Sequence, residues 1–314
     1  VSSPTPPALP SKPRRNRLPV LVAALVAVVV VGVAAVVWRT TGDDATATAA
    51  STRTVKIGVT DKAEPYWTTY VDLAQRRLGV DVELVNFSDY SLPNPALEQG
   101  ELDLNQFQHV QYLANYNVTS GDDLQPIGAT AVYPLPLYST TVEDPAALPA
   151  GAKVAIPNDA INQARALLVL QAAKLVTLKD GGTAFSTTRD VTDATVEVVA
   201  LDASQTANAL QSGSVAAAVV NNNYATSAKL PASDAIFSDD PNGPAAAPYV
   251  NVFAARAADA ADPTYLELAA LIHDPAVEAE FRKSYPNGVV STTDAAALQA
   301  ELTTVEEDAK AAGS

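Results

Sequence analysis

Apolar residues recur along this chain in two alternating rhythms, beginning near residue 54. Thr54 to Thr60 (TVKIGVT) is a β-branched run ending at an Asp, which predicts a strand. In the next stretch Trp67, Tyr70, Val71, Ala74 and Leu78 fall at i, i+3, i+4, i+7 and i+11, one stripe of an amphipathic helix that Gly79 closes. Val80 to Phe87 (VDVELVNF) reads as a second strand. The same grammar recurs downstream: Glu101 to Phe107 is a short strand before the helical HVQYLANY, and Lys153 to Ile156 is a strand before the helical NQARALLVLQAAKLV. Ser214 to Val220 runs into Asn221, Asn222 and Asn223, which stop the strand and suit the cap of the next helix. Pro263 to Ala312 is mostly helical, broken by the turn residues Tyr285 to Gly288. Strands alternating with helices predict an α/β architecture with largely parallel sheets.

Ahead of this body the pattern changes. Leu18 to Trp38 is an uncharged run of 21 residues, long enough at 1.5 Å per residue to cross a bilayer core of roughly 30 Å. Lys12, Arg14, Arg15 and Arg17 precede it, and Asp43 and Asp44 follow it. That asymmetry predicts a cytoplasmic tail (1–17), a transmembrane helix (18–38), a flexible linker (39–53) and a folded body on the extracytoplasmic side of the cell membrane. The rival reading is a cleaved signal peptide, for which the Ala-rich stretch 45–50 offers sites.

A body of about 260 residues lies near the upper limit for a single core, so two lobes are expected. The Pro-rich segments 133–139 and 241–251 mark where the chain changes lobe. This places 54–138 with 249–314 in the first lobe and 139–248 in the second.

Composition narrows the chemistry. Of 20 basic residues, five lie within 1–39, which leaves 15 against 35 acidic residues in the remainder. So acidic a body is not matched to nucleic acid. There is no Cys, and the only histidines are His109 and His273; zinc spacing, thiol nucleophiles, G-x-S-x-G elbows, phosphate loops and G-x-G-x-x-G turns are all missing. No catalytic residue, metal or cofactor is expected. The acidic pairs Asp122/Asp123, Asp239/Asp240 and Glu306/Glu307 read as solvated surface, and His273 as structural.

Four strings fall just after predicted strands, where open α/β sheets place ligands: FSDYSLPN (87–94), NQFQHVQY (105–112), PNDAINQAR (157–165) and NNNY (221–224). They supply aromatics (Phe87, Tyr90, Phe107, Tyr112), an imidazole (His109), a cation (Arg165) and several amides. A free amino acid needs that set: a guanidinium for its carboxylate, amide oxygens for its ammonium and an aromatic slot for an apolar side chain. Each residue also has a structural reading. Arg165 can pair with Asp159, His109 can be a core histidine, and the Asn run can be a helix cap.

These strings resemble the methionine-binding lipoproteins (NlpA type), the receptors of methionine ABC importers. DLNQFQHVQYL, FSDYSLPNPAL, VAIPNDAINQARALLVLQ, VVNNNYA and PYVN follow that family's motifs in order from about Val55 to Gly288. The resemblance implies a bilobed type II periplasmic-binding fold closing over one amino acid, with an ABC permease and its ATPase as partners. It implies that Tyr90, Phe107, His109 and Tyr112 line a thioether slot, that Arg165 clamps the carboxylate, and that Asn162, Asn221 and Asn251 take the remaining polar bonds. The chain departs from the family in three ways. It lacks the lipid-bearing Cys, it has Gln111 where Pro is usual, and it has Ala164 where Gly is usual beside Arg165. The alternatives are a receptor for another small amino acid or a short peptide, and a membrane-tethered sensor or surface-interaction domain on the same fold.

Overall fold

The computed structural model describes residues 53–313, so the predicted helix 18–38 and its flanking tail lie outside the described residues. Among the described residues no helix is long and apolar enough to cross a membrane. The first unit follows the sequence pattern: β1 (Arg53–Val59), α1 (Pro65–Leu73) and β2 (Val80–Asn86). Trp67, Tyr70 and Ala74 of the predicted stripe are buried, with Val71 and Leu78 packed at the edge of the same core. Past Leu73 the helix widens into a π turn (Ala74–Leu78), and Gly79 ends it at φ 66°.

Next come α2 (Pro93–Glu98), β3 (Leu104–His109), α3 (Val110–Ser120) and β4 (Gln125–Val132). The strand expected at 101–107 begins later and runs on to His109. His109 stays extended at φ −98°, ψ 166°, and caps α3 from that position. The chain continues with β5 (Pro136–Ser139), β6 (Lys153–Pro157), α4 (Ala160–Ala172), the ribbon β7 (Val176–Leu178) and β8 (Val191–Ala194), and β9 (Glu197–Leu201). Then follow α5 (Ala203–Gln211), β10 (Ala217–Val219), α6 (Asn222–Ser227), β11 (Ala235–Ser238) and β12 (Val250–Ala255). The last elements are α7 (Pro263–Leu271), α8 (Pro275–Ser284), β13 (Val289–Val290) and α9 (Ala295–Ala312).

Two main sheets result, ordered β13-β4-β12-β3-β1-β2 and β11-β5-β10-β6-β9. The expectation of largely parallel sheets is corrected, because both are mixed. β1 is parallel to β2 and β3, and β6 is parallel to β9 and β10. β12, however, lies antiparallel between β3 and β4, and β5 lies antiparallel between β10 and β11. These two strands are the ones on which the chain arrives from the other sheet, after Tyr133–Leu135 and after residues 239–249.

Each sheet is covered on both faces by apolar clusters. β12 alternates between the two of the first sheet, with Phe253 in one and Val250, Val252 and Ala254 in the other. Much of the acidic excess is used locally: Asp159, Asp202, Asp262, Asp274 and Asp294 accept backbone N–H groups at the starts of α4, α5, α7, α8 and α9. An ionised Asp there also opposes the positive end of the helix dipole.

Candidate ligand-binding site

All eight residues singled out from sequence, Tyr90, Phe107, His109, Tyr112, Asn162, Arg165, Asn221 and Asn251, line one cavity of about 70 Å³. They reach it from strand ends and helix starts in both sheets. Tyr90 follows β2, Phe107 and His109 end β3, and Tyr112 lies in the first turn of α3. Asn162 and Arg165 lie in the first turns of α4, Asn221 follows β10, and Asn251 begins β12.

One wall is aromatic. Tyr90, Phe107 and Tyr112 form a triangle with ring centroids 6.1 Å (Tyr90 to Phe107), 5.8 Å (Phe107 to Tyr112) and 6.3 Å (Tyr90 to Tyr112) apart. The hydroxyl of Tyr90 donates to Asn223 Oδ1, and that of Tyr224 donates to Ser88 O at 2.9 Å, tying the loop after β2 to α6. Phe87 does not join this wall. It packs over Gly58, where an added methyl group would lie 3.2 Å from its ring and 2.5 Å from Leu102.

The opposite chemistry is carried by Arg165, which is 6% exposed. Its Nε donates to Asp239 Oδ2 at 2.8 Å, its Nη2 donates to Tyr133 O at 2.8 Å, and its guanidinium carbon stands 4.2 Å over the Tyr249 ring. Among the described residues no protein acceptor meets Nη1. The partner of Arg165 is therefore Asp239 and not Asp159, which caps α4 through the Asn162 N–H at 2.9 Å.

His109 uses Nδ1 to accept the Tyr112 N–H at 3.2 Å. In a neutral ring the proton then sits on Nε2, and Nε2 is buried with no hydrogen-bond partner among the described residues. Burial, seconded by the positive charge of Arg165, lowers the imidazole from 6.5 to about 3, so the ring is neutral at physiological pH. Asn221 occupies the N-cap position of α6 without capping it. Its Nδ2 donates instead to Asn162 Oδ1 at 2.9 Å, and its Oδ1 is buried without a partner. Asn162 is held in turn by Asp159, to which its Nδ2 donates at 3.0 and 3.1 Å. Asn251 lies opposite His109 in the β3–β12 pairing, and its Nδ2 reaches Tyr249 O at 3.4 Å.

Several expectations need correction. Asp239 is not solvated surface, since it pairs with Arg165 and accepts the Leu135 N–H at 2.7 Å. In the other two acidic pairs the first member is likewise half-buried and bonded, Asp122 by the Tyr116 hydroxyl at 2.6 Å and Glu306 by Asn117 Nδ2 at 2.9 Å. The second member of every pair is exposed. The helix-cap reading of the Asn run fails at Asn221, as described. Neither Ala164 nor Gln111, the two departures from the family's motifs, lines the cavity, although both are buried. His273 is structural, with Nε2 2.9 Å from Ala129 O. Thr60, Asp61, Tyr133 and Tyr285 also line the cavity and were not foreseen. The one signal for them in sequence was the position of Thr60 and Asp61 after β1.

A partly apolar cavity at the strand ends of two mixed sheets, lined by donors and acceptors without partners, is the architecture of an α/β substrate-binding protein. A profile of the NlpA lipoprotein family matches residues 55–293, and the chain belongs to that family, whose members are substrate-binding transport proteins rather than enzymes. The D-methionine-binding lipoprotein MetQ of Salmonella typhi is 39% identical over 206 residues, covering 64% of this chain and 74% of that protein. Among solved structures, protein PG110 from Staphylococcus aureus superposes with a TM-score of 0.75 at 35% identity, covering 80% of this chain and 99% of the other. A nutrient binding protein from Burkholderia cenocepacia, solved bound to methionine, gives a TM-score of 0.69 at 33% identity, with 76% and 99% coverage.

Proposed function

We propose that this chain is the extracytoplasmic receptor of an ABC importer and binds a free amino acid, L-methionine, between two lobes built on the two sheets. The carrying observation is the set of unmet polar groups on one cavity: the His109 Nε2–H, the Nη1 edge of Arg165 and Asn221 Oδ1. Left buried and unpaired, the first and last cost about 1–3 kcal/mol each. An α-carboxylate answers the two donors and an α-ammonium answers the acceptor. Asn162 orients Asn221, and Asn251 completes the polar lining. The triangle of Tyr90, Phe107 and Tyr112 suits a thioether, because polarizable sulfur makes favourable contacts with aromatic rings. One relative named for binding D-methionine and one solved bound to methionine support methionine as the ligand; the choice of the L form is part of the proposal.

In this reading, contacts from both sheets favour a closed form by their differential affinity, and that form docks on the permease and its ATPase. The apolar run 18–38 anchors the receptor in the membrane, with the body outside the cytoplasm.

Calorimetry of the full chain in detergent, after unfolding and refolding to strip carried-over ligand, tests the ligand. L-methionine is expected to bind, with D-methionine, leucine and glutamine weaker. Arg165→Ala is expected to lower affinity about 100-fold or more, as for a lost charged pair. No heat with any of the four amino acids would overturn the reading.

A further inference from the structure

The segment 221–224 gives Asn221 to the proposed binding set, and its next three side chains also bond outside their own helix. α6 starts with no side-chain cap bond, although Asn is among the best N-cap residues. Asn222 Nδ2 donates to Pro134 O at 2.5 Å, in the crossover after β4. Asn223 Oδ1 accepts the hydroxyl of Tyr90, and the hydroxyl of Tyr224 donates to Ser88 O at 2.9 Å. The Tyr224 ring stands 5.1 Å from that of Tyr90, and it packs on the apolar cluster of the second sheet that includes Ala218 and Ala225. Asn223 itself lines the ligand cavity.

Tyr90 belongs to the loop after β2, on the first sheet. That loop bonds to itself through Asp89 Oδ1, which accepts the N–H and the hydroxyl of Ser91, both at 2.8 Å. These bonds fix the chain beside Tyr90 but not its hydroxyl, whose one partner among the described residues is Asn223. The ring is thus set between Phe107 and Tyr112 of the first sheet and Asn223 and Tyr224 of the second. A phenol hydroxyl has a single proton to donate, and here Asn223 takes it, so the aromatic wall offers a ligand ring surface without a free donor. We propose that Asn223 is a positioning residue that sets side-chain selectivity: from the opposite sheet it holds Tyr90 against Phe107 and Tyr112, and it occupies the hydroxyl that would otherwise serve a polar ligand side chain. The class favoured is an unbranched apolar side chain over an amide of the same length, methionine over glutamine. This inference rests on the amino-acid reading of the cavity and deepens it.

The test titrates the full chain, Asn223→Ala, Tyr90→Phe and the double variant with L-methionine, and measures L-glutamine by its displacement of methionine. Ala suits the first turn of a helix, so Asn223→Ala is expected to fold. It is expected to weaken methionine about five-fold, the size of one lost neutral hydrogen bond. The freed Tyr90 hydroxyl is expected to spare glutamine, so the preference for methionine over glutamine falls about five-fold. Tyr90→Phe has no hydroxyl to free, and adding Asn223→Ala to it is expected to change neither methionine affinity nor the preference by more than about two-fold, because the two residues act through one bond. Equal losses for the two ligands would make Asn223 a packing residue and overturn the inference. So would an unchanged methionine affinity in Asn223→Ala, or the same loss from Asn223→Ala with and without the Tyr90 hydroxyl. In those cases the amino-acid reading stands; a wild type that binds neither ligand removes both.

Discussion

His109 joins two constraints that a sequence motif cannot separate. Its Nδ1 caps α3 by accepting the Tyr112 N–H, and that bond leaves the proton on Nε2, which is buried without a partner in a side chain that lines the cavity together with Arg165. The cost of this arrangement is legible in pH. The ring stands at about 3 in the folded protein against an ordinary 6.5, so above pH 6.5 neither the folded nor the unfolded state holds the proton. As the pH falls from 6.5 towards 3 the unfolded ring charges and the folded one does not, and stability declines by about 1.4 kcal/mol per pH unit. Asp61 and Asp159, both raised by burial, act in the opposite sense, but they are unchanged by substitution at His109. In urea unfolding at pH 7 and pH 5, the wild type is therefore expected to lose about 2 kcal/mol more than His109→Gln between the two conditions. Equal losses would mean that the ring titrates freely in the folded state.

At the scale of elements, α4 shows how local capping and the site are coupled. Asp159 accepts the Asn162 N–H and both of its oxygens take Asn162 Nδ2, while Asn162 Oδ1 receives Asn221. One carboxylate thus fixes a helix start in one sheet layer and, through one amide, the acceptor that follows β10. Asp159→Ala is expected to lower unfolding free energy by about 1 kcal/mol, the value of a lost N-cap. It is also expected to weaken ligand binding, because Asn162 and Asn221 lose their support. Chemical denaturation and calorimetry on the same variant check both effects, and undiminished affinity would show that Asn221 holds its place without this relay. The departures at Gln111 and Ala164 belong to this scale as well. On α3 and α4 these positions turn away from the cavity, so their consequence lies in helix packing and not in ligand choice.

For the whole molecule, the decisive feature is that the chain passes between the two sheets twice and leaves polar cavity residues on both sides. Arg165 bridges them even within the protein, because its Nη2 donates to the carbonyl of Tyr133 in the crossover segment after β4. Tyr90 and Tyr224 add bonds between the loop after β2 and α6. If ligand contacts close the two lobes, small-angle X-ray scattering is expected to show a smaller radius of gyration with saturating L-methionine than without it. An unchanged radius in a sample that calorimetry shows to be liganded would count against closure.

Much of the molecule was determined by sequence alone, and for a local reason. Period-3.6 and period-2 patterns mark α1, α4, β1, β2 and β6 because each buries one stripe or one short run whatever surrounds it. The eight cavity residues were legible because they follow strand ends, where α/β sheets open, and because their motifs recur in a family. Tertiary structure decided the rest. β12 (VNVFAA) is buried along its whole length, so it carries no alternation, and only the return of the chain from the other sheet makes it an antiparallel strand. Asp239 looked like one more surface acid because nothing within its own segment reveals Arg165, which lies 74 positions away and 2.8 Å distant. Asp61 showed in sequence only its place after β1: Tyr66 and Trp67 lie close to it on α1, but its third donor, Tyr285, is 224 positions away. Partners so far apart along the chain leave no local periodicity, and only the folded chain brings them into hydrogen-bonding distance.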